Sequence, residues 1–178
     1  RKYNPSLKKD EVTAHESGVL DDRLVFTEEN PGREIDVAEA LATGARVLKG
    51  FNDTLALQSL QTAESIYERI DAGMNPRLAG AKVKAAVELY ITTGKAKYQA
   101  DILRYTTPEV LKRSDVIGYV GRVMQKLRDP KFSEIVTLAA QNYKAEVDKL
   151  KNENPFGVPY RPHIWGDGWN IQIFGVNQ

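Results

Sequence analysis

"EIDVAEALATGARVLKGFNDTLALQSLQTAESIYERI", residues 34 to 70, decides the fold. Ile35, Ala38, Leu41, Ala42, Ala45 and Leu48 recur at spacings of three and four, which draws one apolar stripe on a helix. Gly50 sits where a helix stop belongs. Asn52 or Asp53 then offers a side-chain cap for a second helix. Its apolar positions are Leu57, Leu60, Ala63, Ile66 and Tyr67, with Glu64 expected to face water. Two helices joined by so short a turn must run back along one another.

Outward from this hairpin the same grammar continues. "PRLAGAKVKAAVELYITTG" (76–94) opens a third helix at Pro76, with Ala79, Val83, Ala86, Val87 and Tyr90 on one face. "KAKYQADILRY" (95–105) predicts a shorter fourth, and "PEVLKR" (108–113) a helical turn. "SDVIGYVGRVMQKLRD" (114–129) reads as a single fifth helix capped by Ser114 or Asp115. "PKFSEIVTLAAQNYKAEVDKLKNE" (130–153) reads as a sixth, with Pro130 in its first turn. A tail helix is expected from near Asp167. "DAGM" (71–74) predicts Gly73 as a helix C-cap and Asp71 as an exposed charge. Residues 1–33 read as an irregular segment, broken by Pro31 and Gly32, in which "RLVF" (23–26) is a short strand or an extended stretch.

A loose repeat runs through the helices, with Phe51, Tyr98 and Phe132 each just past a turn. The expected fold is therefore all-α: stacked antiparallel helical hairpins over 34–178, as an open solenoid or a closed α/α toroid.

Composition narrows the function classes. At 178 residues, 42% hydrophobic and 28% charged, the chain is sized for one domain with a core. Its 25 basic and 24 acidic side chains are interspersed and leave a net charge of +1. That gives no electrostatic reason to expect nucleic acid or an anionic membrane surface as partner. The absence of cysteine removes disulfides, thiolate metal sites and a cysteine nucleophile. No apolar run approaches a membrane span of about 20 residues. The paired acids at 21–22 and 28–29 read as solvated loop charges, and His15 has no second histidine near it, so no metal site is expected. No phosphate-binding loop, dinucleotide fingerprint, GxSxG or HExxH occurs, and no cofactor is implied.

The chemistry-bearing stretch is "NPFGVPYRPHIWGDGWNIQIFGVNQ" (154–178), which holds both tryptophans. A sugar ring presents apolar C–H faces and a fringe of hydroxyls. Tyr160, Trp165 and Trp169 offer flat platforms for the faces; His163, Asp167 and Asn170 offer hydrogen bonds for the fringe. Pro155, Pro159 and Pro162 stiffen the loop, and Gly157, Gly166 and Gly168 let it turn. On this reading the loop is a saccharide-binding rim; on the plainer one, Trp165 and Trp169 seal one end of a helical core.

Taken together, "FTEENPGREIDVAEALATGARVLKGFNDTLALQSLQTAESIYE" (26–68), "AAVELYITTGKAKYQADI" (85–102) and "NPFGVPYRPHIWGDGWNIQIFG" (154–175) resemble successive parts of glycoside hydrolase family 9 catalytic domains. In that family a small-residue helix turns through a "gfdd"-type corner into a second helix. A hairpin of the type "aA.ELy.aTGd.kY" comes next, then a "WG" loop over the sugar cleft. The resemblance spans about residues 22–178. It implies an (α/α)6 toroid as parent fold and hydrolysis of β-1,4-glucosidic bonds with inversion, as in cellulases. The family's catalytic base sits in a "DAGD" motif upstream of the matched region; here "DAGM" follows the hairpin and ends in Met74. The family's acid, a Glu, lies downstream of the aromatic loop. No catalytic residue is therefore carried over. Trp165, His163, Tyr160, Trp169 and Asp167 are carried over as substrate-contacting, with an oligo- or polysaccharide and the remainder of the parent catalytic domain as partners. This polypeptide alone is expected to be inactive. Polysaccharide hydrolases work outside the cytoplasm, so a secreted or periplasmic location follows from the implied function. Cleavage of glucosamine- or chitobiose-type substrates stays open, because stacking ignores the 2-substituent.

The rival expectation is a non-enzymatic helical-repeat domain that binds a protein partner. A self-contained solenoid should finish on a polar capping helix. The stretch "IQIFGVNQ" (171–178) instead carries Ile171, Ile173, Phe174 and Val176, which favours the incomplete domain.

Overall fold

The computed structural model describes residues 30–153 and 155–159. It is all-α, as the periodicity predicts, with no strand among the described residues. Its helices are α1 (Pro31–Leu48), α2 (Asp53–Arg69), α3 (Pro76–Thr93), α4 (Ala96–Tyr105), α5 (Ser114–Gly121), α6 (Met124–Leu127) and α7 (Pro130–Glu153), with a 3₁₀ turn at Val110–Lys112 between α4 and α5.

Local chemistry explains the ends. Asn52 caps α2 through its Oδ1, which accepts from Leu55 N at 3.0 Å, while Asp53 Oδ1 accepts from Gly50 N at 2.8 Å and tightens the corner. Gly50 takes φ +86°, a conformation that leaves little choice of residue. Asn75 caps α3, accepting from Arg77 N and Leu78 N, with Pro76 as first helical residue. α3 ends on Gly94, left-handed at φ +69°, whose N–H donates to Tyr90 O at 2.8 Å. Asp129 opens α7 by accepting from Phe132 N at 2.8 Å.

The core gathers round α3. This helix packs against α2, α4, α5 and the 3₁₀ turn, and α5 packs in turn on α7. Val83, Val87 and Leu89 of α3 meet Ile35, Tyr98, Ile102, Val116, Val120 and Val123, all fully buried. Alanine supplies much of the rest: Ala38, Ala42, Ala63, Ala85 and Ala86 are sealed from solvent. Small side chains let helix backbones approach closely. At Gly80 a Cβ would stand 3.3 Å from Val116 Cγ2, so the α3 backbone packs directly on the Val116 side chain of α5 there.

Several local expectations are corrected. Pro31 and Gly32 do not break the chain; α1 begins at Pro31, where a missing N–H costs nothing. Gly73 does not cap α2, which ends at Arg69 with extended Ile70 as its cap residue. The stretch 114–129 is two helices, interrupted at Arg122 and Val123, and neither Ser114 nor Asp115 caps it; Arg113 stands in the cap position without a side-chain bond. Leu57 is exposed and Ala56 takes the inward place. The repeat fails at its first copy: Tyr98 and Phe132 are buried, whereas Phe51 is 90% exposed. The "RLVF" stretch and the tail helix lie outside the described residues.

Candidate functional site

The residues singled out for sugar contact, Tyr160, His163, Trp165, Asp167 and Trp169, lie outside the described residues, as do Asn170, His15 and the acid pairs at 21–22 and 28–29. The stem that leads toward the aromatic loop is described. After α7, Pro155 and Phe156 are exposed, Gly157 takes φ +63°, and Val158 and Pro159 are half-buried. The chain therefore leaves α7 through a left-handed corner that glycine makes easy.

Two polar clusters lie inside the bundle. The first runs along the seam of α1, α3 and α5. Glu88 is buried on α3, and Arg46 of α1 donates to its Oε2 at 2.7 Å, while Arg122, at the end of α5, donates to its Oε1. Arg46 also donates to Thr92 Oγ1 at 2.8 Å. Further along, Tyr119 donates its hydroxyl to Glu39, and Lys84 stands 3.5 Å from Glu39 and 3.6 Å from Asp115. Arg113 closes the row on Asp115 at 2.9 Å. Burial pushes the Glu88 carboxyl up, but hydrogen bonds from Arg122 and Arg46 outweigh it and hold the group below its ordinary range. Asp115 is held down in the same way, against burial, by Arg113 and Lys84.

The second cluster joins α2, α3 and α4. Tyr67 donates to Asp101 Oδ2 at 2.7 Å and packs edge-on against Tyr98 at 5.3 Å. Tyr98 donates to Glu64 Oε1 at 2.7 Å, which Lys95 also grips at 2.6 Å. Glu64 thus turns into the α2–α4 junction rather than toward water, correcting the periodicity. Lys82 is buried against the end of α2, donating to the carbonyls of Tyr67 and Ile70 with its ammonium 4.4 Å from the centre of the Tyr67 ring. Burial lowers the Lys82 ammonium, partly offset by Asp101 and Asp71. Burial raises the Tyr67 phenol, and the bond to Asp101 raises it further. Asp71 is exposed as expected, though its Oδ1 accepts from Gly73 N and from Tyr105.

An apolar groove of about 360 Å³ lies between α5, α6 and α7, floored by Ile117, Met124, Val136 and Ala140 and edged by Lys144.

Acid–base chemistry on a glycoside needs a carboxyl kept protonated and a second one free to activate water. The carboxyls shifted here, Glu64, Asp71, Glu88, Asp115 and Asp148, all move the other way, toward the ionised form, each in a hydrogen bond from a cation, a tyrosine or a backbone N–H. The clusters are built to hold helices together. Among the described residues no group of three His, Asp or Glu is placed to hold a metal ion, and no helix is long and apolar enough to cross a membrane.

Sequence reasoning did not find Lys82, Glu88, Arg46 or Arg122. The available signal was the placement of Lys82, Lys84 and Glu88 among the alanines and valines of 79–89, where a charge demands a partner. Comparison of the chain with protein families, with curated proteins and with solved structures returned no match.

Proposed function

We propose that the chain is the central portion of a family 9-like glycoside hydrolase that cleaves β-1,4-glucosidic bonds with inversion, its aromatic loop contacting the sugar. The observation that carries this reading is the order of three segments: the 26–68 hairpin, the 85–102 hairpin and the "WG" loop at 154–175. The all-α frame agrees with it, as do the tight corners at Gly50–Asn52 and at Gly94–Lys95. On this reading Trp165 is the principal stacking platform, with Tyr160, His163, Asp167 and Trp169 beside it, and the protein is exported to meet its polysaccharide.

Both tryptophans fall within 154–178, so their fluorescence reports on that stretch alone. Titration with cellohexaose should shift that emission in a saturable way, and Trp165→Ala should abolish the response while leaving the helical circular dichroism intact. A folded chain whose emission ignores cello-oligosaccharides sinks the carbohydrate reading. Turnover of carboxymethyl-cellulose by this polypeptide alone would instead overturn its catalytic incompleteness.

A helical domain that docks a protein partner is the second reading. It is favoured by Val47 and Phe51, large apolar side chains left exposed about the α1–α2 corner. The same side chains would serve equally to meet the rest of a parent domain. Capture of a protein partner that Phe51→Ser abolishes, with no sugar response, would select this reading.

A further inference from the structure

Among the described residues, one end of the α1–α3–α5 seam sets two guanidinium groups on a single carboxylate. One guanidinium offers two parallel N–H groups, enough to satisfy both oxygens of a carboxylate. Glu88 receives no such fork. Its Oε2 takes Nη2 of Arg46 and its Oε1 takes Nη1 of Arg122, so two cations share one anion. The neighbouring carboxylates are already engaged: Glu39 by Lys84 and Tyr119, Asp115 by Arg113 and Lys84. Among the described residues, the Glu88 end thus holds two cations on one carboxylate.

That end faces solvent. The Glu88 side chain is 3% exposed, whereas those of Arg46 and Arg122 are 32% and 45% exposed. The carboxylate is a floor from which two guanidinium groups rise. Both are held in place. Thr92 takes Arg46 Nη1 and passes its own hydroxyl hydrogen to Ala42 O at 3.1 Å. The Arg122 guanidinium sits 5.7 Å from the Tyr119 ring centre, and its backbone N–H is tied to Tyr119 O. A guanidinium carries five N–H donors. These bonds use two on Arg46 and one on Arg122, leaving donors on both groups for a ligand.

We propose that Arg46 and Arg122 form a pincer for an oxyanion, seated on the solvent side of Glu88. A bound carboxylate or phosphate would balance the second guanidinium and take up donors that these bonds leave unused, with little side-chain ordering still to be done. The proposal stands independently of the glycosidase reading, because it uses none of the residues of the aromatic loop. Two sources share this chemistry, the carboxylate of an acidic sugar and free inorganic phosphate.

Isothermal titration and thermal melting of the full chain, at constant ionic strength, separate them. The probes are inorganic phosphate, sodium glucuronate and, as a neutral control, glucose. Saturable binding of at least one anion is expected, and none of glucose. Tighter glucuronate than phosphate assigns an acidic glycan; the reverse assigns free phosphate. Arg122→Gln should weaken the anion about tenfold, the effect of losing one charge-assisted bond. Arg69→Gln, a control at an exposed arginine paired with Glu34 at 3.4 Å, should change nothing. Arg122→Lys keeps the charge and loses the fork, and should weaken binding by a smaller factor, about threefold; it decides the matter if Arg122→Gln does not fold. Failure of both anions to saturate, or wild-type affinity in the folded Arg122 variants, overturns the proposal.

Discussion

α3 and α7 are both alanine-studded helices opened by a proline, yet eleven of the eighteen residues of α3 are buried and only four of the twenty-four of α7. The sequence pattern alone asks for one apolar face on each. The difference lies in the neighbours. α3 has α2, α4 and α5 against it and exchanges side-chain bonds with α1, so its polar positions are enclosed along with its apolar ones. α7 leans mainly on α5 and leaves Leu138 55% exposed. A helix's own periodicity states what it can bury; the number of elements round it decides what it does bury.

The sharpest way to break this contrast is to truncate the centre. Leu89→Ala removes a fully buried side chain and should cost about 2–5 kcal/mol in chemical denaturation. A loss below about 1 kcal/mol would mean that α3 is not the hub. Glu88→Gln comes next, at about 1–3 kcal/mol, because two part-exposed guanidiniums lose their anion. Its pH signature is specific. The folded Glu88 carboxyl titrates below its ordinary 4.5, so its contribution is present above that value and fades as acid carries the pH down through the folded pKa. Denaturation of wild type and Glu88→Gln should therefore differ above pH 4.5, draw together as the pH falls below it, and converge once the folded carboxyl is protonated.

Smaller effects test the edges. Gly44→Ala in α1 meets nothing within 4 Å of the new Cβ and should stabilise by about 0.5–1 kcal/mol from helix propensity alone. Gly80→Ala, in the tight α3–α5 contact, should not show that gain. Leu138→Ala on α7 should stay within about 0.5 kcal/mol; a larger loss would reveal a covered face.

Much of the frame was legible. Asn52 and Gly50 act through bonds to residues three away, and Pro76 and Pro130 through a fixed φ and a missing N–H in a first helical turn, and such local chemistry can be read along the chain. What escaped depends on neighbours distant in sequence. Glu64 turns inward because Tyr98 and Lys95, more than thirty residues on, await it. Glu88 is buried because Arg46 and Arg122 come from two other helices. The break at Arg122 and Val123 lies inside a run whose apolar spacing continues unbroken, so periodicity had no means of marking it. Of the candidate sugar site, only the stem at 155–159 falls among the described residues, and its composition rather than its geometry supports the assignment.

The enclosure of α3 also sets a clock for the backbone. Its amides from Lys84 to Tyr90 are hydrogen-bonded within a helix packed by neighbours on several sides, so deuterium should reach them chiefly through opening of the whole bundle. Amides in the middle of α7 need only local fraying, and mass spectrometry should find them labelled long before.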